Sequence, residues 1–287
     1  MPNVKAFFDP ATFSYSYVVS DPATRAAAVI DPVLDYDQAS GRICTQGLLE
    51  IANHVQSEGL EVAWILETHV HADHLSAAHK LRERLGGKIC IGSQVVAVQS
   101  IFGDLFNAEA DFQRDGSQFD QLLNDGDTLP LGSLTIEAMA TPGHTPACMT
   151  YVVDGAAFVG DTLFMPDFGT ARTDFPGGDA RTLYQSIQRI LALPAATQLY
   201  MCHDYGSETR DNFAYLTTVA EERAKNVHIH EGVDEATFVE ARQTRDAGLA
   251  APRLLLPSVQ FNMRAGKMPP AEDNGQSYFK IPIRQAS

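Results

Sequence analysis

The chain of 287 residues is long enough for one large domain or two small ones, and its 45% hydrophobic and 20% charged residues are typical of a globular protein. Its net charge of −15, from 36 acidic and 21 basic residues, argues against non-specific binding to nucleic acid and against adhesion to an anionic membrane. The sequence has no run of about 18 apolar residues and its N-terminus lacks the layout of a signal peptide, so we expect a cytoplasmic protein. The four cysteines include no Cys-x-x-Cys pair, which fits a reducing compartment.

Strand and helix patterns alternate along the first half of the chain. Apolar runs bounded by Asp-Pro or glycine turns predict strands over 4–8, 14–19, 26–30, 62–66 and 88–91. Apolar residues at helical spacing predict helices over 45–58 and 76–85, and a weaker pattern predicts a third helix over 95–106. The polar residues 107–124 are expected to form an irregular surface loop.

The second half of the chain continues this mixed order. Further strands are predicted over 134–140, 149–153, 156–159 and 199–202, and further helices over 182–193, 212–225 and 234–247. Asp154-Gly155, between two of these strands, is a strong signal for a β-hairpin. The proline-rich tail from Ala251 is expected to be irregular and to end in a strand-like segment, 278–283. Strands and helices interleaved in this way predict two mixed sheets packed face to face with helices outside.

The stretch 67–75, which reads ETHVHADHL, carries the densest group of metal-ligand residue types in the chain. It places His69, His71, Asp73 and His74 within six positions, directly after a predicted buried strand. Side chains at i and i+2 of an extended segment point the same way, so His69 and His71 can face one ion. A single His-x-His pair is weak evidence because surface histidines are common, but four such residues together predict a metal site.

Three more ligand-type residues, His144, Asp161 and His203, each follow a strand-like run. Because the ends of neighbouring strands lie at one edge of a sheet, these residues are expected to converge on the first group. Taken alone, His144 can be explained as a residue of a Pro-Gly turn and Asp161 as a turn cap. The first group is what makes both of them candidate metal ligands. Three other histidines lack this context and are expected at the surface: His79, His228 and His230.

The types of ligand narrow the choice of ion. Neutral imidazoles and carboxylates suit zinc, iron or manganese, and no cysteine is expected to supply a thiolate ligand. Two histidines and one carboxylate with open coordination would match the facial triad of a non-haem Fe(II) oxygenase. Two ions bridged by Asp161 would instead suit hydrolysis. The residues alone leave both alternatives open.

Four segments in a fixed order, HVHADH, TPGH, GDTLF and the histidine of Cys202-His203-Asp204, resemble the motifs of the metallo-β-lactamase superfamily over about residues 4–225. The resemblance implies an α/β fold, a four-layer αββα sandwich with the metal site at one edge. It also implies a catalytic domain over 1–250. The remaining residues, 251–287, would form a C-terminal extension packed on this domain or on a partner subunit.

Two glutathione-linked branches of the superfamily are candidates, the persulfide dioxygenases and glyoxalase II. Residues 171–175, which read ARTDF, and the His-Asp-Tyr of 203–205 resemble dioxygenase motifs, as does Glu221-Glu222-Arg223 with Asn226. Where this chain has His203-Asp204, glyoxalase II more usually has a His-Glu pair. Glyoxalase II also carries a larger helical C-terminal domain. Phe168-Gly169-Thr170 departs from the Gly-Cys-Gly of many such dioxygenases. The tail segment 262–266, NMRAG, resembles a bacterial subgroup of β-lactamase-like hydrolases linked to sulfide detoxification.

The dioxygenase resemblance implies that glutathione persulfide is oxidised by O₂ to sulfite and glutathione at one Fe(II) per chain. The implied iron ligands are His69, His144 and Asp161. The residues implied to orient these ligands, or to be the remnant of a second metal site, are His71, Asp73, His74 and His203. The implied glutathione contacts are Arg172, Asp174, Tyr205 and Arg223, with a purely structural ion pair between Arg172 and Asp174 as the alternative.

Other functions stay open on the sequence. A glyoxalase II-like enzyme would use one or two zinc ions to hydrolyse S-acylglutathione thioesters. A non-catalytic sulfide sensor is the third possibility, and the intact set of ligands disfavours it. We expect no nucleic-acid or membrane partner, and a homodimer or larger homo-oligomer.

Overall fold

A computed structural model describes residues 1–207 and 210–283. The strands in these ranges are β1 (Asn3–Asp9), β2 (Ser14–Ser20), β3 (Ala26–Ile30), β4 (Val33–Leu34), β5 (Tyr36–Asp37), β6 (Arg42–Ile43), β7 (Glu61–Leu66), β8 (Leu75–Ser76), β9 (Lys88–Gly92), β10 (Gln121–Leu123), β11 (Thr128–Leu131), β12 (Leu134–Ala140), β13 (Met149–Val153), β14 (Ala156–Phe158), β15 (Gln198–Tyr200) and β16 (Leu216–Thr218). The helices are α1 (Gln46–Ser57), α2 (Ala78–Leu85), α3 (Val95–Leu105), α4 (Ala180–Leu191), α5 (Val219–Lys225), α6 (Glu235–Asp246) and α7 (Leu255–Asn262).

Two six-stranded sheets form the centre of the molecule. The first has the order β1-β2-β3-β7-β9-β10, with antiparallel pairing up to β3 and parallel pairing beyond it. The second has the order β11-β12-β13-β14-β15-β16 and is antiparallel except where β14 pairs with β15. Both sheets are therefore mixed, as the interleaved strands and helices predict.

Alternate residues of the central strands of the first sheet point into two different hydrophobic cores. Val19 and Leu66 point into the core between the sheets, where they meet Tyr151 of the second sheet. Their neighbours Val18 and Ile65 point outward into a core that includes side chains of α1, α2, α3 and α7. A third core joins the outer face of the second sheet to α4, α5 and α6. The layers are thus helix, sheet, sheet and helix, which confirms the αββα sandwich.

The predicted hairpin between β13 and β14 is confirmed. Asp154 and Gly155 have φ angles of 42° and 83°, and two successive positive φ values are those of the tight turn that matches strand twist. β13 and β14 pair directly on either side of this turn. The hairpin directs the far end of β14 toward the edge of the sandwich where Asp161 lies.

Two sequence predictions for connecting segments are wrong. Residues 212–225 form β16 followed by the short helix α5, not one helix. The β-branched Thr217 and Thr218 continue the sheet beside β15, and the Thr218 hydroxyl then accepts a hydrogen bond from Glu221 N (3.2 Å) to start α5. The loop predicted over 107–124 ends in β10, which pairs in parallel with β9.

The C-terminal tail also differs from its prediction. It contains the helix α7, and the described part of 278–283 has no strand. Pro257 lies in the first turn of α7, where a missing N–H is tolerated. Val259 and Phe261 are buried in the core of the first sheet, and polar residues of the same helix are buried as well. A helix buried on most sides has no amphipathic pattern, so its sequence did not indicate it.

The described residues include no helix with both the length and the apolar character needed to span a lipid bilayer.

Candidate metal centre

All seven predicted ligand residues come together at one edge of the sandwich. β7 leads into residues 67–76, which we call the metal-binding loop and which carries four of them. The turn after β12 supplies His144, the end of β14 supplies Asp161, and the end of β15 supplies His203. The ring centroid of His69 lies 4.1 Å from that of His71 and 5.2 Å from that of His144. The convergence expected from strand ends is therefore observed.

Two glycines allow the turns that place these side chains. Gly143, with φ 141°, seats the turn of His144 against α4, where an added Cβ would lie only 2.4 Å from the Cα of Leu183. Gly160, with φ 51°, lets the end of β14 approach the metal-binding loop, where a Cβ would lie 2.7 Å from the Cβ of Thr68. Any other residue at either position would be strained and would also collide with its neighbour.

His69, His144 and Asp161 form the first ligand group, with all their ligand atoms within 4.8 Å of one another. Asp161 Oδ2 lies 3.9 Å from His69 Nε2 and 3.6 Å from His144 Nε2. The Nδ1 of His144 faces the carbonyl of Arg172 at 2.8 Å, so it carries the proton and leaves Nε2 with a lone pair.

The same reasoning fixes the tautomer of His69. The Thr68 hydroxyl donates its proton to Asp31 Oδ2 (2.8 Å), so its oxygen accepts from Nδ1–H of His69 (3.0 Å). His69 Nε2 is buried and has no hydrogen-bond partner among the described residues. A buried lone pair without a partner is costly unless it binds a cation, so this group fits a metal ion.

Asp73 and His74 form a second group with His71, in which the ligand atoms lie within 4.8 Å of one another, and His203 lies beside both Asp73 and Asp161. His203 Nε2 lies 3.3 Å from Asp161 Oδ1 and 3.5 Å from Asp73 Oδ2. His74 Nδ1 donates to the carbonyl of Leu75 (3.1 Å), which leaves its Nε2 as a buried lone pair without a described partner. These residues can therefore supply the ligands of a second ion, close to the Asp161 of the first group.

The protonation states suit metal binding. Burial, and after it the neighbouring His71, holds the pKa of His69 well below its usual value and lowers that of His74 to about 4. Burial opposes ionisation of Asp73, but His203 and then His74 lower its pKa to about 2. Neutral imidazoles beside an ionised carboxylate are the forms that bind a metal ion.

His71 is held differently from the other histidines. Its Nε2 lies between two buried carboxylates, 3.0 Å from Asp31 Oδ1 and 3.3 Å from Glu67 Oε2. Burial opposes a charge on His71, but Asp31 and then Glu67 raise its pKa well above the usual value. Its Nδ1 has no hydrogen-bond partner among the described residues. His71 therefore links the ligand groups to an acidic pair behind them.

Cys202 lies closer to the ligands than the sequence indicated. Its Sγ is within 4.8 Å of ligand atoms of His71 and His203, which corrects the expectation that no cysteine is well placed. Burial, and after it the charge of Asp31, raises the pKa of Cys202 well above its usual value. The side chain is therefore a neutral thiol, a weak ligand compared with a thiolate.

A cavity of about 420 Å³ opens over Asp73, His144 and Asp161. Its aromatic lining residues are Phe13, Phe164, Phe168, Phe175 and Tyr205. Its cationic lining residues are Arg172, Arg242, Arg245 and Arg253. Arg242 is paired with Asp246 at 2.6 Å, but neither Arg245 nor Arg253 pairs with a carboxylate of the described residues. The cavity is thus apolar near the ligands and positively charged in part of its wall, although the whole chain is acidic.

The structure separates the four predicted substrate contacts. Arg172 and Tyr205 line the cavity. Asp174 does not; it forms a bidentate ion pair with Arg172, with both N–O distances at 2.6 Å, as the structural alternative predicts. Arg223 lies on α5, on the outer face of the second sheet, where it donates to the carbonyl of Leu191 and lines a different cavity. Arg223 therefore lies away from the cavity over the ligand residues, because α5 belongs to an outer layer.

The three histidines predicted at the surface differ in their exposure. His230 is exposed and His79 is partly exposed. His228 is half-buried, where its Nδ1 accepts from Thr170 N (3.0 Å) and its Nε2 lies 3.2 Å from Arg245. It therefore supports the loop that follows Phe168, which corrects the surface prediction.

Several residues that shape the site were missed. Asp31 accepts from Thr68 N (2.7 Å) and faces His71, yet in the sequence it is one of several Asp-Pro turns. Ser14 contacts both Asp73 Oδ2 and His203 Nδ1 at 3.2 Å, but the sequence marks it only as the start of a strand. Glu67 is the first residue of the quoted motif, and its position directly after a predicted buried strand is its one signal in the sequence; in the structure it is buried.

Comparisons with known proteins agree with this geometry. The model of the Metallo-beta-lactamase superfamily matches residues 9–203. The chain is 59% identical to a Burkholderia pseudomallei protein named "Probable metallo-hydrolase", over 98% of both chains. It is 49% identical to a "Beta-lactamase hydrolase-like protein" of Agrobacterium fabrum, of which it spans 65%.

More distant relatives carry a different name. The chain is 32% identical to "Persulfide dioxygenase ETHE1, mitochondrial" of Bos taurus, over 93% of this chain and 90% of that one. The crystal structure of ETHE1 from Myxococcus xanthus superposes with a TM-score of 0.73 at 28% identity, over 92% of this chain and all of that chain. On its motifs, its sandwich, its ligand groups and these matches, the chain belongs to the metallo-β-lactamase superfamily.

Proposed function

We propose that the chain is a persulfide dioxygenase of sulfide detoxification, which converts glutathione persulfide, O₂ and water into glutathione and sulfite. One Fe(II) per chain would be held by His69, His144 and Asp161, a set of two imidazoles and one carboxylate. The observation that carries the proposal is that His144 and Asp161 line the same cavity as Arg172 and Tyr205, which belong to the dioxygenase-like segments. The identity to a protein named persulfide dioxygenase supports it.

The cavity suits the chemistry of the substrate. Glutathione persulfide combines a polarisable sulfur pair with a peptide that ends in two carboxylates. Phe164 and Phe175 offer an apolar wall near the ligands, and the volume of about 420 Å³ lies in the range of small-molecule sites. Arg245 and Arg253 have no carboxylate partner among the described residues and can pair with those of the substrate.

The ligand residues have defined tasks in this proposal. When bound, Fe(II) would supply open coordination positions and the electrons for O₂ activation. The proton on Nδ1 of His144 and that on Nδ1 of His69 keep both Nε2 atoms directed at the ion. Phe168 and Tyr205, whose rings lie 5.2 Å apart, would form part of the wall around the reacting sulfur.

A second candidate is a dinuclear zinc hydrolase of S-acylglutathione thioesters. The specific observation that favours it is the second set of ligand residues, in which the Nε2 atoms of His74 and His203 have no described hydrogen-bond partner and that of His203 lies 3.3 Å from Asp161. A bridging carboxylate between two ions is suited to activating water for hydrolysis. The name of the Burkholderia pseudomallei relative is consistent with this alternative.

Two alanine variants separate the candidates. The protein is purified without air, and metal content, oxygen uptake on glutathione persulfide and hydrolysis of S-lactoylglutathione are measured. The proposal predicts that His69→Ala loses both iron and oxygen uptake, whereas the matched variant His74→Ala keeps one iron per chain. For the zinc hydrolase, His74→Ala would reduce the metal content from two ions to one, and the wild-type protein would consume no oxygen.

A further inference from the structure

The C-terminal segment 262–266, NMRAG, packs directly against the metal-binding loop. Asn262, the last residue of α7, is only 4% exposed. Its Nδ2 donates to the carbonyls of His71 (2.9 Å) and His74 (2.8 Å), and its Oδ1 accepts from Ser76 N (2.8 Å). One side chain thus uses three hydrogen bonds to hold backbone groups on both sides of Asp73.

These three bonds meet a need of the loop. Residues 67–74 are neither helix nor strand, so their backbone groups lack the partners that a regular element provides. The loop is buried around His71 and His74, where a carbonyl without a hydrogen-bond partner would destabilise the fold. The amide of Asn262 therefore replaces a missing strand partner and sets the backbone from which the ligand side chains project.

The amide is connected to a ligand ring as well as to the backbone. Ser76, whose N–H binds Asn262 Oδ1, donates its hydroxyl to Glu67 Oε1. The other carboxylate oxygen of Glu67 faces His71 Nε2 at 3.3 Å. A shift of Asn262 would consequently move His71 in two ways. One is through the hydrogen bond to the His71 carbonyl, and the other is through Ser76 and Glu67 to the His71 ring.

The rest of the segment fixes Asn262 in place. The Met263 carbonyl accepts from the buried Gln99 side chain at 2.9 Å. Arg264 pairs with Glu109 at 2.9 Å. Gly266, with φ 76°, approaches the carbonyl of Ser76 so closely that an added Cβ would lie 2.9 Å from it. The segment is therefore built for close contact with the end of the metal-binding loop.

We infer that Asn262 is a positioning residue of the metal centre, by which the C-terminal helix holds the metal-binding loop in its ligating conformation. The inference concerns the loop geometry and not the reaction, so it holds for one iron or for two zinc ions. It also gives a function to the NMRAG segment, which follows the stretch of the chain that carries the metal-ligand motifs.

Gln260 provides a matched control on the same helix. It is 3% exposed and also makes three hydrogen bonds to backbone groups, with the Leu256 carbonyl and with both N and O of Lys280. None of these groups belongs to the metal-binding loop. Gln260→Ala therefore removes a buried amide of α7 without touching the ligands, whereas Asn262→Ala removes the amide that holds them.

The experiment measures Co²⁺ and Zn²⁺ binding by chelator competition, the visible spectrum of the Co²⁺-loaded protein, and the melting temperature of each metal-free variant. Asn262→Ala is expected to raise the metal dissociation constant about 10- to 100-fold, the range seen when a residue that orients a ligand is removed. It should also shift the Co²⁺ absorption bands. Gln260→Ala is expected to lower the melting temperature but to leave the spectrum and the affinity within about two-fold of wild type.

Asn262→Asp is the isosteric variant, which retains the acceptor for Ser76 N and loses both donors. It is expected to weaken metal binding as Asn262→Ala does. If Asn262→Ala does not fold, Asn262→Ser, whose hydroxyl can donate one hydrogen bond, is measured in its place. The inference is overturned if the Asn262 variants bind metal with wild-type affinity and spectrum, or if Gln260→Ala weakens metal binding as much as they do.

Discussion

Asp31→Asn removes the negative charge that faces His71 from behind the metal-binding loop. The carboxylate of Asp31 is buried, accepts from Thr68 N at 2.7 Å and lies 3.0 Å from His71 Nε2. The asparagine keeps an oxygen for Thr68 N, although not the second oxygen that accepts from the Thr68 hydroxyl, and its side chain tolerates the left-handed φ of 47° at this position. The substitution therefore isolates the charge from the backbone.

The expected loss follows from the geometry. Removing one partner of a buried ion pair typically costs 3–5 kcal/mol, but Glu67 stays 3.3 Å from the same nitrogen, so we expect about 2–3 kcal/mol for Asp31→Asn. Asp31→Ala should lose about 1–2 kcal/mol more, because alanine is strained at a positive φ. Burial raises the pKa of Glu67, whereas His71 lowers that of Asp31 despite burial. Glu67→Gln should therefore be the milder change.

Urea unfolding of the metal-free proteins at pH 7 gives the free energies of unfolding of the wild type and the three variants directly. Metal-free protein is used so that metal binding does not add to the stability of the folded state. The reasoning is refuted if Asp31→Asn lies within about 0.5 kcal/mol of wild type, the usual range of surface substitutions. It is also refuted if Glu67→Gln is as costly as Asp31→Asn.

Three further predictions address the cavity, the turn of His144 and α5. Arg253→Ala should reduce kcat/KM for glutathione persulfide roughly 2- to 5-fold at low salt and less at high salt, and a salt-independent effect in steady-state kinetics would contradict this. Gly143→Ala should lower the free energy of unfolding by roughly 2–3 kcal/mol through its clash with Leu183, so an unchanged melting temperature would argue against the packing described. Burial raises the pKa of Glu222 from 4.5 to about 8. Between these pH values the folded protein keeps a proton on Glu222 that the unfolded chain has lost. The free energy of unfolding of the wild type should therefore fall as the pH rises from 4.5 to 8, by at most about 1.4 kcal/mol per pH unit. Glu222→Gln should flatten this dependence in denaturation curves, and an equal slope in both proteins would contradict it.

The convergence of the candidate metal ligands could be predicted from the sequence because each carries a local signal. His69 and its neighbours form a dense motif after a strand, and His144, Asp161 and His203 follow later strand-like runs. Strand ends meet at sheet edges whatever the exact register, so convergence did not depend on precise boundaries. The same generality explains why the αββα architecture followed from the interleaved pattern.

The residues that hold the ligands had no such signal. Asn262 meets the metal-binding loop across 186 residues of sequence, and its helix is buried on most sides, so neither spacing nor periodicity indicates it. Asp31 shares its Asp-Pro context with Asp9 and Asp21, and only its contact with His71 sets it apart. Hydrogen bonds between distant segments are decided by tertiary packing, which local patterns do not encode.

Helix prediction likewise did not decide which faces line the cavity. The helical pattern over 234–247 is confirmed as α6, but that Arg242 and Arg245 point to the cavity depends on how α6 packs beside α4. The family resemblance implies a substrate contact for Arg223, but the helix that carries Arg223 lies in an outer layer.

The most direct test of the proposed function is oxygen uptake by protein loaded anaerobically with Fe(II). We expect one iron per chain, and one O₂ consumed and one sulfite formed for each glutathione persulfide. Arg172→Ala should slow this uptake, because Arg172 lines the cavity that holds His144 and Asp161. Two zinc ions per chain with hydrolysis of S-lactoylglutathione, and no oxygen uptake by the iron-loaded protein, would contradict the proposal.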